Sequence, residues 1–141
     1  MEENSLIKAM HERDLVLLEH LLAEGEDPNS TSDDGDYPLQ VAYRYALHEA
    51  IGYTYLDRLI TGGADLNRQF IPPLHGACHA SDVKLVKYLL EHGADPLMED
   101  GDGKVPLDWA QEQMPAGKEI RNALILKARR QGEQRTDGNH H

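Results

Sequence analysis

The 141-residue sequence predicts an all-α repeat solenoid, in which short helix pairs stack on one another. Residues 73–96 carry two consecutive apolar patterns at helical spacing, closed by a glycine and an Asp-Pro step that end the second helix. The closing glycine turn recurs at Gly25, Gly63 and Gly93, and an opening Pro-Leu recurs at Pro38, Pro73 and Pro106 with spacings of 35 and 33 residues. One helix pair is too small to bury its own apolar surface, so recurring copies indicate a stack.

A period near 33 residues with these signposts resembles the ankyrin repeat. The resemblance extends from about residue 5 to about residue 130. It implies about four helix-turn-helix repeats, short β-hairpin fingers at one edge, and a concave face for partners. Members of this family usually bind proteins and rarely catalyse reactions, so the resemblance also implies a binding function without a cofactor.

We expect one domain over residues 1–130, divided into repeats 5–28, 29–67, 68–96 and 97–130. The first repeat has no finger and a polar outer side, as an N-terminal capping repeat requires. The second exceeds the 33-residue period by five residues, which we place within 46–52, and the third has a finger shortened by three. Residues 131–141 lack an apolar anchor and are predicted to form a disordered tail.

Composition and charge limit the localisation and the partners that we expect for this protein. The N-terminus is acidic and no apolar stretch approaches the roughly 18 residues of a membrane span, so a cytoplasmic, soluble protein without a membrane partner is expected. The single cysteine, Cys78, permits no internal disulfide and is expected to pack in the core. A net charge of −11 argues against nucleic acid as a partner, because phosphates would repel it. Both capping repeats are charged, so a monomer is expected.

The aromatic residues are assigned mainly to packing. Tyr53 and Tyr55 match second-helix positions of the ankyrin pattern that face neighbouring helices, and Tyr43 matches a small-residue position. Trp109 falls at an apolar position of the repeat. Tyr45 differs, because with Arg44 it lies at the end of the first helix of its repeat. The first helix of each pair is called the opening helix below. The ankyrin pattern points such side chains into the concave groove, and tyrosine and arginine are enriched at interface hot spots.

Acidic residues concentrate on two fingers. Asp33, Asp34 and Asp36 lie in the first finger, and Glu99, Asp100 and Asp102 lie in the last. Residues 1–117 carry 22 acids and 8 bases, whereas residues 118–141 carry 3 acids and 6 bases. We interpret the finger acids as a rim that sets the rate and orientation of encounter with a partner, while a less charged centre supplies the desolvated contacts.

The predicted partner-binding residues come from the fingers and the ends of opening helices. Phe70 in the short third finger either tucks against the core or stands exposed as an anchor. The full set is Asp33, Asp34, Asp36, Arg44, Tyr45, Phe70, Ile71, His79, Met98, Glu99, Asp102, Lys104 and Glu112. It predicts a non-catalytic module that binds a protein with a basic surface; an inhibitor or immunity protein that blocks a basic enzyme or toxin is the alternative.

An enzyme or a metal-dependent protein is an alternative of another class, and it would use either the group His75, Cys78 and His79 or the pair His48 and Glu49. His75, Cys78 and His79 are zinc-ligand types spaced to lie near one helical face. The resemblance, however, gives His75 a structural hydrogen-bonding role, as the histidine of the family's Thr-Pro-Leu-His motif. The run from Asp100 to Lys104 begins like a calcium loop but places a lysine at a ligand position. We therefore predict no metal, no cofactor and no catalytic residue.

Overall fold

The computed structural model describes residues 4–32, 35–68, 71–110 and 115–138, with side chains described as far as residue 132. Within these ranges the regular structure consists of eight helices and no strand. The helices are α1 (Ser5–His11), α2 (Leu15–Ala23), α3 (Pro38–Ala46), α4 (Ile51–Thr61), α5 (Pro73–His79), α6 (Val83–Glu91), α7 (Pro106–Trp109) and α8 (Gly117–Gly138). The predicted all-α architecture of successive helix pairs is confirmed.

Local sequence signals determine where the helices begin. The opening helices α3, α5 and α7 each have a proline in the first turn, where the fixed φ suits the helix and the missing N–H is not needed. The second helices α2 and α6 are capped by Asp14 and Asp82, whose carboxylates accept the N–H groups of Leu17 and Leu85 at 3.0 Å. Asp82 is therefore the N-cap of α6.

An asparagine side chain joins each closing turn to the next. Asn29 Nδ2 donates to the carbonyl of Gly63 at 3.2 Å, and Asn29 Oδ1 accepts the N–H of Asp65 at 2.7 Å. Asn67 repeats the arrangement with the carbonyl of Gly93 at 3.0 Å and the N–H of Asp95 at 2.7 Å. The glycines of the three predicted turns have φ of 98°, 105° and 106°, a left-handed conformation that favours glycine.

The chain divides into two compact units, residues 1–65 and 66–141. In the first unit α1 packs on α2 and α3, and α4 packs on α2 and α3. In the second unit α5 packs on α6 and α7, and α8 packs on α6 and α7. The core residues of the first unit include Leu6, Met10, Leu18, Leu39, Tyr55 and Leu56, and those of the second include Leu74, Cys78, Leu85, Leu89 and Ile120. The assignment of residues 1–130 to one domain stays a prediction.

The second helix pair differs from the third in the length of every part. Helix α3 has nine residues and α4 has eleven, against seven in α5 and nine in α6. The turn 47–50 is also one residue longer than the turn 80–82. The five additional residues are thus shared by two helices and a turn, whereas the sequence analysis placed them within 46–52.

Gly52 is buried where α4 meets α3, and a Cβ built there would lie 2.0 Å from the backbone nitrogen of Ala46.

A backbone hydrogen bond closes each of the finger loops before α3 and α7. The loop before α3 closes with Ser32 N–H donating to the carbonyl of Asp36, and the loop before α7 closes with Asp100 N–H donating to the carbonyl of Lys104. No strand is assigned in the described part of either loop, so the β-hairpin form stays a prediction.

Helix α8 continues to Gly138, so the stretch that the sequence analysis assigned to a disordered tail is helical as far as that residue. No described helix is long and apolar enough to cross a bilayer.

Candidate functional site

A pocket in the first unit brings together several predicted binding residues. It encloses about 320 Å³ and is lined by His11, Asp36, Val41, Arg44, Tyr45, His48 and Glu49. The end of α1 supplies His11, the loop before α3 supplies Asp36, and α3 with the turn after it supplies the others. Asp36, Arg44 and Tyr45, predicted as partner-binding residues from their repeat positions, therefore lie at one site in the structure.

Tyr45 forms an aromatic wall of this pocket and rests on the core of the unit. Its ring meets the ring of Tyr55 edge to face, with 5.5 Å between centroids, and its hydroxyl lies 2.7 Å from Nδ1 of His11. Tyr55 is fully buried and donates its hydroxyl to the carbonyl of Met10 at 2.7 Å. These contacts hold Tyr45 in place before any partner arrives, which lowers the entropic cost of binding through it.

Glu49 is oriented by an ion pair with Arg13. The two guanidinium nitrogens of Arg13 lie 2.7 and 3.1 Å from the carboxylate oxygens, and its Cζ lies 5.8 Å from the centroid of the Tyr45 ring. This hydrogen-bonded guanidinium lowers the pKa of Glu49, which keeps the carboxylate charged. Both side chains are largely exposed, so the pair adds little to stability and acts mainly by fixing the direction of a carboxylate at the pocket.

In the second unit, Asp100 organises the last finger instead of extending its acidic rim. The side chain is only 7% exposed. Its Oδ1 accepts the N–H groups of Asp102 and Lys104 at 2.9 Å each, and its Oδ2 accepts the indole N–H of Trp109 at 2.8 Å. The interpretation of Asp100 as a rim residue is therefore wrong, because all three bonds are made within its own repeat.

Asp100 gives the second unit a defined acid sensitivity. The hydrogen bond from the Lys104 N–H is the largest cause of a pKa below the usual value, so the folded state favours the ionised carboxylate. A depressed folded-state pKa contributes stability that is present above the unfolded value of about 3.9 and is lost as pH falls through the folded value. We expect Asp100→Asn to be less stable than the wild type at pH 7, with a difference that shrinks below about pH 4.

The measurement is urea unfolding of both proteins, followed by circular dichroism at several pH values. Asp102→Asn is the matched control, because Asp102 lies in the same finger with its side chain exposed. Asp102→Asn should lose as much stability at low pH as the wild type does. An Asp100→Asn protein with the same loss of stability in acid as the wild type would contradict the role given to this carboxylate.

The remaining predicted residues are found in the second unit or outside the described residues. His79 is exposed, with its ring edge-on to Trp109 at 5.6 Å, and the carbonyl of Lys104 accepts a hydrogen bond from His75 Nε2 at 2.9 Å. Ile71 is 37% exposed. Met98 is half-buried, while Glu99, Asp102 and Lys104 are exposed. Asp33, Asp34, Phe70 and Glu112 lie outside the described residues, so their predicted roles stay predictions.

Sequence reasoning missed His11, His48 and Glu49 as pocket residues. A signal for His11 was available, because residues 6–14 and 74–82 align without a gap and place His11 in register with His79. The rule that selected Tyr45 and His79 from the ends of opening helices would have selected His11 as well. Glu49 had no such signal, since its contact with Arg13 joins residues 36 apart in the sequence.

The metal-ligand alternative finds no support in the arrangement of its residues. His75 is buried and its Nε2 is bonded to the Lys104 carbonyl. Burial raises the pKa of Cys78 to about 12, which disfavours the thiolate that a metal would bind. Among the described residues, no group of histidine, cysteine, aspartate and glutamate side chains is placed to hold a metal ion.

The helices are paired and their closing turns contain glycines with positive φ, which defines an α-helical repeat protein. Residues 6–100 match the family described as ankyrin repeats, in three copies. The chain belongs to the ankyrin-repeat family, whose repeats generally mediate protein–protein interaction.

Similar proteins are much longer than this chain. The mitochondrial disaggregase of Bos taurus is 33% identical over 115 residues, which cover 76% of this chain and 16% of the relative. The E3 ubiquitin-protein ligase Ufd4 of Drosophila melanogaster is 35% identical over 115 residues, covering 80% of this chain and 4% of the relative. The 2-5A-dependent ribonuclease of Mus musculus is 30% identical over 105 residues, which cover 74% of this chain and 10% of the relative. Each match thus covers most of this chain but only a small share of the relative.

Proposed function

We propose that this chain is a non-catalytic binding module, acting as a cytoplasmic monomer, whose partner presents a basic surface to the pocket of the first unit. The observation that carries the proposal is the pocket itself, in which the carboxylates of Asp36 and Glu49 accompany the wall formed by Tyr45. Residues 1–65 carry 14 acidic and 4 basic residues, so the field around this unit attracts a basic partner and speeds encounter.

The chain itself supplies an example of the contact. Arg13 meets Glu49 with two hydrogen bonds and lies beside the ring of Tyr45, so a guanidinium fits this carboxylate and this ring together. A lysine or arginine of the partner enters the pocket between Asp36 and Glu49 with its aliphatic stem against Tyr45 and Val41. Tyrosine at the centre of such a contact contributes apolar area at low entropic cost, which is the usual property of a hot-spot residue.

The test uses the partner recovered by affinity purification from the native source and measures association and dissociation rates at several salt concentrations. We expect Asp36→Asn/Glu49→Gln to slow association by about threefold to tenfold and to flatten its salt dependence. Tyr45→Ala should mainly speed dissociation, with an affinity loss of about tenfold or more.

Glu12→Gln/Glu26→Gln is the matched control, because it removes the same charge from exposed positions of the same unit that do not line the pocket. It should leave dissociation unchanged and slow association less than the pocket variant. Equal rates and equal salt dependence in the pocket variant and the wild type would remove the electrostatic argument. A Tyr45→Ala protein that binds as well as the wild type would place the contact elsewhere.

An inhibitor or immunity protein is a narrower form of the same proposal. It requires that the basic surface be the active face of an enzyme or toxin, so that occupying it stops catalysis. Titrating the partner's enzymatic activity with this chain separates the two forms: stoichiometric inhibition indicates an inhibitor, and unchanged activity in the complex indicates an adaptor.

A further inference from the structure

A second surface lies in a groove between α6 and α8 of the second unit. The groove encloses about 330 Å³, and its lining includes Lys87, Leu90, Ala123, Leu126, Lys127 and Arg130. It shares no residue with the pocket of the first unit. None of the predicted binding residues that the structure describes lines the groove, and the proposed function does not use it.

The floor of the groove exposes apolar surface that the fold leaves uncovered. Leu126 is 50% exposed, whereas Ile120 and Leu124 on the same helix are 0% and 3% exposed. Leu90 of α6 and Ala123 of α8 continue the apolar lining beside it. The fold therefore covers only half of Leu126, and its exposed half is available to a second molecule.

The side chains around the groove carry three basic groups, Lys87, Lys127 and Arg130, and two carboxylates, Glu91 and Glu119. Lys87 Nζ lies 2.7 Å from Oε1 of Glu119, and this ion pair links α6 and α8 beside the apolar floor. Among the described side chains, no carboxylate lies within ion-pair distance of Lys127 or Arg130. Between residues 117 and 132, α8 carries five basic residues and one acidic residue, in a chain whose net charge is −11.

We propose that this groove is a second binding surface whose occupant is an acidic, amphipathic segment of another protein. An apolar side chain of that segment covers Leu126, and its carboxylates meet Lys127 and Arg130. A purely apolar occupant would desolvate those two cations without a partner, which is costly. A nucleic acid or an anionic membrane presents a long array of negative charges, so the rest of the acidic chain repels it more strongly than it repels a short segment with a few carboxylates. With a basic partner at the first unit, the chain holds two partners of opposite charge.

The experiment uses the full chain and a fluorescent synthetic peptide with leucines at i and i+4 among glutamates, together with a counterpart in which glutamine replaces glutamate. Binding is followed by fluorescence anisotropy at low and moderate salt. We expect the glutamate peptide to bind more tightly than the glutamine peptide. Leu126→Asn should weaken binding about tenfold, through loss of apolar burial. Lys127→Gln/Arg130→Gln should weaken it about fivefold and flatten its salt dependence.

Lys118→Gln/Arg129→Gln is the matched control, since it removes the same charge from exposed positions of α8 outside the groove. It should change affinity by no more than about twofold. An equal loss in the control and groove variants would show charge attraction without a site, and equal binding of the two peptides would remove the acidic occupant. Self-association of the chain that Lys127→Gln/Arg130→Gln abolishes would identify a second copy as the occupant and also overturn the proposal.

Discussion

Replacing Gly52 with alanine is expected to lower the free energy of unfolding by about 3 kcal/mol or more, because the new methyl group has no space. Its Cβ would lie 2.0 Å from the backbone nitrogen of Ala46 and 2.5 Å from the backbone carbon of Tyr45. Backbone cannot move aside as a flexible side chain can, so α3 and α4 must separate. The cost is measured by urea unfolding followed by circular dichroism.

Gly132→Ala is the matched control for this substitution. A Cβ at Gly132 meets no atom of the described residues within 4 Å, and the position lies in helix α8. Alanine is favoured over glycine inside a helix, so Gly132→Ala should be stabilising by about 0.5 to 1 kcal/mol. A Gly52→Ala protein as stable as the wild type would show that α3 and α4 do not approach each other at this point as described.

Replacing Tyr55 tests the link between the core of the first unit and the pocket. Tyr55→Ala is expected to cost about 3 to 5 kcal/mol, the usual range for deleting a buried aromatic ring. Tyr55→Phe removes only the hydrogen bond to the Met10 carbonyl and should cost about 1 kcal/mol. Burial raises the pKa of the Tyr55 hydroxyl, so it remains a neutral donor across the physiological range.

The two Tyr55 variants should also differ in partner binding. Tyr55→Phe keeps the ring that meets Tyr45 edge to face and should bind as the wild type does. Tyr55→Ala removes that support and should weaken binding even where the protein remains folded. The readouts are the urea midpoint and the affinity for the purified partner. A Tyr55→Phe protein destabilised as much as Tyr55→Ala would contradict the division between ring packing and hydrogen bond.

Most of the fold was predictable because its signals are local. A glycine with positive φ closes a helix, and a proline in the first turn opens one, so Gly93 and Pro73 mark boundaries whatever surrounds them. The count of residues per repeat revealed five extra residues in the second repeat but not their location. Extending both helices and inserting a loop produce the same count, and only packing distinguishes them.

The site was predictable to the extent that the repeat determines direction. Tyr45 and Arg44, which line the pocket, were selected because the ends of opening helices point to a common side, whereas His11 has the same register but was not selected. Asp100 was misread because an aspartate in a Gly-rich loop is the same in sequence whether it faces water or accepts three hydrogen bonds. The Asp-Gly-Asp pattern did carry a signal, since an aspartate often accepts the N–H two residues on.

The asparagines that join the closing turns mark the boundary between successive repeats in a way that spectroscopy can follow. The N–H groups of Asp65 and Asp95 lie in turns, where deuterium normally enters fast, yet each is bonded to a side chain from the preceding turn. Their exchange is therefore slow only while two consecutive repeats remain docked. One backbone signal reports on the boundary held by Asn29 and the other on the boundary held by Asn67, so a loss of docking at either is recorded separately.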